Sequence, residues 1–269
     1  MNLAERFLVK PGSKVDLSDV DPREKGDFSD KEDAQARLAK NTERLNQLQY
    51  TLYAEDKRSV LIVLQGMDTA GKDGTIRHVM TGVNPQGCRV ESFKAPSQIE
   101  LDHDFLWRVH HAVPRRGEIG IFNRSHYEDV LVVRVHDIVP KSVWSQRYDL
   151  INQFEKHLAE TGTVILKFFI YISEEEQRER LQARLDDPTK TWKFNPGDLE
   201  ERKRWNDYIR AYEAALEKCS TAWAPWFVIP SDRKWFRNLA VSEIIADALE
   251  EMELKLPKPD FDLTGITVE

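Results

Sequence analysis

The chain has 269 residues, with 39 Lys and Arg against 46 Asp and Glu, for a formal net charge of −7. A 41% hydrophobic and 32% charged composition describes a globular protein with length enough to bury a core, and it excludes disorder across the whole chain. No apolar run reaches the roughly 20 residues of a bilayer span, and the acidic balance argues against a broad nucleic-acid surface. Cys88 and Cys219 cannot form a disulfide framework, so the expected location is the reducing cytoplasm, with no membrane and no nucleic acid as partner.

Residues 1 to about 30 show little periodicity and read as an extended arm. Leu38, Leu45, Leu48 and Leu52 then mark an amphipathic helix over Lys31 to Tyr53, which closes an N-terminal region of residues 1–55. The main domain, 56–269, opens with SVLIVLQ at Ser59 to Gln65, a continuous apolar run suited to a strand covered on both faces. Further strands are expected at Arg89 to Phe93, Glu118 to Phe122, Thr163 to Ile172 and Trp226 to Ile229, each separated by helix-like sequence. That alternation predicts an α/β fold with a parallel sheet between helix layers. Ser97 with Glu100, Ser173 with Glu176 and Asp198 with Glu201 have the spacing of helix starts. Trp205, Tyr208, Ile209, Tyr212 and Leu216 form an aromatic stripe read as core packing on the helix after Asp198. Between two of these helices, DDPTKTWKFNPG at Asp186 to Gly197 reads as a flap.

Directly after the first strand, GMDTAGKDG places Gly66, Gly71 and Lys72 in the G-x-x-x-x-G-K pattern of a phosphate-binding loop. Thr69, Ala70, Gly74 and Thr75 complete the turn into the next helix, whose backbone N–H groups would wrap an anion. Asp73 stands where a magnesium-ligating hydroxyl is usual, and helix capping is its other reading. Asp68 puts a carboxylate inside the cradle, where it repels phosphate unless a cation such as Mg²⁺ lies beside it.

EIGIFNRSHYEDV, at the end of the third strand, should face the same crevice, because ligands bind beyond the carboxyl ends of parallel strands. On that logic Asn123, Glu128 and Asp129 are expected at the crevice, where an acceptor would lie, and because Asn123 stands where related folds carry a metal-binding Asp, Asp129 is taken as the second metal ligand. Arg124 is assigned to phosphate, with pairing to a nearby Glu as the alternative. His126 reads as a structural hydrogen-bonding group, since an ionised phosphate acceptor needs no general base. On the helix from Ser173, Arg178 and Arg180 follow Glu174 and Glu176 by four and read as solvent-exposed pairs. Arg184 has a like charge four residues before it and is assigned to phosphate, and Lys190 and Lys193 in the flap read either as closing over an anionic chain or as solvated loop lysines.

Taken together, GMDTAGKDGTIRHVMTGVNPQGCRVESFKAPS, FNRSHYEDVLVVRV and RLDDPTKTWKFNPGDLEERKRWNDYIRAYEAAL resemble the successive signatures of the family-2 polyphosphate kinases, over residues from about 31 to about 255. The resemblance implies a three-layer αβα, P-loop-kinase-like fold with a helical lid, about residues 186–220. It also implies reversible Mg²⁺-dependent phosphoryl transfer between inorganic polyphosphate and nucleotides, AMP to ADP and ADP to ATP, in a homodimer or homotetramer. Many members carry Asp where this chain has Asn123; the NRSHYED reading resembles the subgroup that accepts both mono- and diphosphates, of adenine and by extension of guanine. By motif, Asp68 and Lys72 fall in the phosphate loop, Arg124 in the third-strand motif, and Arg184 with Lys193 at the lid. An ATP-dependent nucleoside monophosphate kinase and a non-catalytic polyphosphate or nucleotide sensor are the competing readings.

Overall fold

The computed structural model describes residues 2–262, 264 and 266–268. Its centre is β1 (Ser59–Gln65), in which every residue is buried, as the unbroken apolar run requires of a strand covered on both faces. β2 (Cys88–Ser92), β3 (Ile119–Asn123), β4 (Thr163–Tyr171) and β5 (Trp226–Pro230) complete a five-stranded sheet of order β2-β3-β1-β4-β5. All four pairings are parallel, with Leu64 opposite Asn123 on one side of β1 and Gln65 opposite Phe169 on the other.

Two helix layers sandwich the sheet. One face carries α1 (Lys31–Glu55), α2 (Lys72–Val79) and α7 (Lys234–Glu251), which bury Leu45, Leu52, Val79 and Leu249 against Ile62 and Phe168. The other carries α3 (Arg147–Glu160) and α6 (Trp205–Cys219), which bury Ile151, Phe154 and Leu216 against Val63 and Phe169. Side chains alternate across the pleat, so successive β1 residues feed the two cores in turn. Two further helices, α4 (Glu174–Asp186) and the short α5 (Gly197–Lys203), lie between β4 and α6. Among the described residues no helix is long and apolar enough to cross a membrane.

Two features differ from the sequence reading. The N-terminal arm lies along the sheet edge: Leu8 forms an antiparallel bridge with Phe227, Val9 donates to Trp226 O at 2.9 Å, and Leu3, Phe7 and Leu17 are buried. The apolar anchors outweigh the turn-rich composition, and the arm covers the otherwise open edge of β5. The helix expected to start at Asp198 breaks at Arg204 into α5, which buries no side chain, and α6, whose aromatic stripe is core. Asp198 does not cap it; its carboxylate takes Arg184 instead. No residue between 187 and 203 is buried, whereas α6 is fixed in the core by Tyr212, Ala215 and Leu216.

The chain leaves β1 to build β2 and β3 on one side, then crosses over to β4 and β5 on the other. The segments following β1 and β3 therefore diverge, and a crevice opens at their carboxyl ends.

Candidate active site

An open cleft of about 640 Å³ occupies that crevice. The loop between β1 and α2 brings Asp68, Thr69, Gly71, Lys72, Asp73 and Gly74 to its wall, while Gly66, Ala70 and Thr75 lie inside the turn. Both ends of the loop demand glycine. A Cβ on Gly66 would come within 2.6 Å of Ile170 O, and one on Gly71, at φ +107°, within 2.1 Å of Arg237 Nη1. Thr69, with φ +65°, holds a left-handed conformation that costs a non-glycine residue about 1–3 kcal/mol, the kind of strain found at binding loops.

Lys72 turns back over its own loop and donates to Gly66 O at 2.7 Å and Met67 O at 3.3 Å. Among the described residues it forms no ion pair, and burial, reinforced by Arg124, pulls its ammonium down to about 8. A cation held only by carbonyls in a cleft is an electrostatic vacancy for an anion.

Across the cleft, Arg124 follows β3 at φ +61°, its N–H donating to Leu64 O at 3.0 Å. The next residues pin that turn. Ser125 accepts from Gln65 Nε2 at 3.1 Å and caps the short helix His126–Asp129, while His126 and Tyr127 plug into the core. Arg124 Nη2 donates to Asp68 Oδ1 at 2.5 Å and Nη1 reaches Glu128 at 3.5 Å, so both readings of Arg124 meet in one side chain that lines the cleft and pairs with acids. Asn123 Nδ2 donates to Asp73 Oδ1 at 2.5 Å, giving Asp73 a partner beyond the helix start it sits on.

The structure does not bring Asp129 to the cleft wall. Its carboxylate accepts from Arg147 Nη1 at 2.7 Å, and burial pushes it up to about 6 although Arg147 and Arg108 oppose the shift. Strand-end logic placed it in the crevice, but the tight His126–Asp129 helix turns it toward α3. Glu128 likewise stands behind Arg124, largely buried, and not on the wall.

The opposite wall comes from segments after β4 and β5. Arg184, Lys190 and Lys193 reach it as expected, although Arg184 also donates to Asp198 Oδ2 and Lys193 O, both at 3.1 Å. Lys190 pairs with Asp187 at 2.5 Å. Arg178 is the solvent-exposed pair foreseen, with Glu175 as partner in place of Glu174. Arg180 is not a surface residue. Its Nε meets Glu176 at 2.6 Å, but Nη1 donates to Thr69 O and Ala70 O at 3.0 and 2.8 Å, and Nη2 to Ser231 O at 2.7 Å. The i, i+4 spacing identified its acid and concealed its two remaining nitrogens. Arg237 and Lys234, on α7, also line this wall and carried no local sequence signal.

Among the described residues no group of three or more His, Cys, Asp and Glu side chains forms a metal cage. Asp68 nevertheless presents Oδ2, which no hydrogen bond among the described residues reaches, beside the loop that would hold phosphate. One carboxylate beside phosphate oxygens suits Mg²⁺, which takes its remaining ligands from substrate and water.

Comparison with known proteins agrees with this geometry. The family model described as Polyphosphate kinase 2 (PPK2) matches residues 28–257. An AMP/ADP-polyphosphate phosphotransferase of Meiothermus ruber is 52% identical over 98% of this chain and 100% of its own length. An ADP-polyphosphate phosphotransferase of Rhodopseudomonas palustris is 47% identical over 94% and 92%. The crystal structure of polyphosphate kinase 2 from Arthrobacter aurescens TC1 superposes with a TM-score of 0.94 at 45% identity, over 98% of this chain and 94% of that one. The chain thus belongs to the polyphosphate kinase 2 family.

Proposed function

We propose that the protein transfers phosphoryl groups reversibly between inorganic polyphosphate and nucleotides, with AMP and ADP as acceptors. The carrying observation is the wall built after β4 and β5. It consists of Arg180, Arg184, Lys190, Lys193, Lys234 and Arg237, with Ala183 as the one apolar side chain. A nucleotide donor needs a face for its base; this wall offers charge for a chain of phosphates and no aromatic or aliphatic slot. Kinship with named AMP/ADP- and ADP-polyphosphate phosphotransferases supports the same reading over an ATP-dependent monophosphate kinase or a sensor.

On this reading the nucleotide enters beside β2 and β3, where Phe93, Lys94 and Asn123 line the cleft, and the polyphosphate lies along the cationic wall. An acceptor phosphate is already ionised, so catalysis reduces to alignment and charge stabilisation. Lys72, with the loop N–H groups, holds the transferring phosphoryl group; Arg124 and Arg184 hold its flanks. Asp68 would hold Mg²⁺, which screens the phosphate oxygens as charge moves between them. Lys190 and Lys193 close the exposed segment over the chain and exclude water that would otherwise hydrolyse it. The reading extends to guanine nucleotides, to a dimer or tetramer, and to the cytoplasm.

The test is product analysis with polyphosphate as sole donor, Mg²⁺, and AMP, ADP, GMP or GDP in turn. ADP from AMP and ATP from ADP are expected. No product from polyphosphate alongside ADP formed from ATP and AMP would contradict the proposal.

A further inference from the structure

Lys167 stands in the middle of β4, in a stretch otherwise apolar from Val164 to Ile170, and it is wholly buried. All three of its ammonium protons are used. Nζ donates to Glu155 Oε2 on α3 at 2.5 Å, to Tyr127 OH at 2.8 Å and to Cys219 O, at the end of α6, at 2.7 Å. Glu155 Oε1 in turn accepts from Tyr127 OH at 2.9 Å and lies 3.1 Å from His126 Nε2. His126 Nδ1 has no partner among the described residues, which puts the proton of the neutral ring on Nε2, facing Glu155.

Core stability does not explain these charges. A buried ion pair replaced by well-packed apolar side chains is commonly as stable or more so. What the crossed hydrogen bonds add is a single arrangement, where apolar contacts would allow sliding. Their bonds converge on one segment of the cleft. Tyr127 and His126 belong to the short helix His126–Asp129, which starts two residues after Arg124. Arg124 holds φ +61°, a left-handed conformation that a non-glycine residue keeps only where its surroundings over-determine it. The same short helix carries Glu128, which Arg124 Nη1 reaches at 3.5 Å, so a shift of that helix would move the guanidinium and its acid together. Phosphoryl transfer asks Arg124 to meet charge that develops in the transition state, and only a donor fixed beforehand does so without reorganising.

We propose that Tyr127, Glu155 and Lys167 are positioning residues for phosphoryl transfer, holding the turn from which Arg124 reaches the phosphates. The positioning role rests on the phosphate contact proposed for Arg124 and deepens it. None of the three lines the cleft or touches substrate; each acts through the short helix.

The test is kcat, the KM values for polyphosphate and AMP, and the melting temperature of Tyr127→Phe and of the double variant Glu155→Gln with Lys167→Met, each alone and combined with Arg124→Ala. Tyr127→Phe removes the hydroxyl and leaves the ion pair; the double variant removes both charges, so neither strands a buried charge. In each, kcat should fall about tenfold or more, since displacing a catalytic group by about 1 Å can cost about a hundredfold. Both KM values should stay within about threefold, the pattern of an interaction made in the transition state. In the Arg124→Ala background neither change should lower kcat further, because the group they position is gone. A purely structural role would lower the melting temperature and leave kcat of the folded protein untouched. Unchanged kcat in both variants, or losses of the same factor with and without Arg124, would overturn the positioning role and leave the functional reading intact. Wild-type turnover in Arg124→Ala would remove the phosphate contact of Arg124 first and the positioning role with it.

Discussion

Two clusters of charge sit on either side of the Arg124 turn. Beneath it, Lys167, Glu155, His126 and Tyr127 are wholly buried. Lys167 Nζ donates to Glu155 at 2.5 Å, to Tyr127 OH at 2.8 Å and to Cys219 O at 2.7 Å, and His126 Nε2 lies 3.1 Å from Glu155. Burial alone would raise the Glu155 carboxyl, but Lys167 and His126 outweigh it and hold it below its ordinary value. Burial keeps His126 lowered, the condition of a core histidine. Above the turn, Lys72 and Arg237 have carbonyl and amide partners but no acid of their own, and Asp68 keeps an oxygen open. Below the turn the cation has its own acid; above it Lys72 and Arg237 share a cleft with Asp68. The lower cluster pairs its charges within the protein and anchors the turn, whereas on the proposed reading the upper one is completed by what binds.

The largest effect should come from breaking the complete cluster. Glu155→Gln leaves Lys167 buried without its counter-charge and should cost about 3–5 kcal/mol in denaturant unfolding. Asp68→Asn, in the incomplete cluster, should leave stability nearly unchanged but lower turnover by roughly two orders of magnitude or more and raise the Mg²⁺ requirement, as measured by product formation against Mg²⁺ concentration. Near-normal turnover would remove the metal-ligand assignment.

The next effect concerns pH. In the ligand-free protein the Lys72 ammonium titrates at about 8, against an ordinary 10.5. Below pH 8 both folded and unfolded chains carry its proton. Between 8 and 10.5 the folded chain has lost it and the unfolded chain keeps it, so this residue's contribution to stability rises with pH through that window. Polyphosphate affinity should fall over the same window as the cation disappears. Lys72→Met should lack both trends, and pH-resolved melting and binding curves compare the two proteins. The smallest effect should come from the exposed pair of Lys203 and Glu200 on α5, 2.7 Å apart, where Lys203→Ala should change stability by about 0–1 kcal/mol.

The parallel sheet and the glycine-rich loop after its first strand follow from patterns that act locally. SVLIVLQ leaves a strand no exposed face, and Gly66, Gly71 and Lys72 mark the G-x-x-x-x-G-K turn that follows it. What escaped the sequence depends on distant segments meeting. Arg237 lies in a helix buried on most sides, and only the docking of α7 against the loop reveals that its charge is unmet. Arg180 appeared satisfied by Glu176 because spacing counts partners and not nitrogens. Asp129 was misplaced because one turn of tight helix separates it from the strand end, and Arg147 arrives from α3 to claim it.

The central claim, that the upper cluster is electrostatically unfinished until a phosphate chain arrives, is tested most directly by melting the protein with and without polyphosphate at increasing salt. The account predicts stabilisation by polyphosphate that shrinks steadily as salt rises, because bound cations displace the chain's counter-ions. A melting temperature that polyphosphate does not move, or moves equally at every salt concentration, would contradict it.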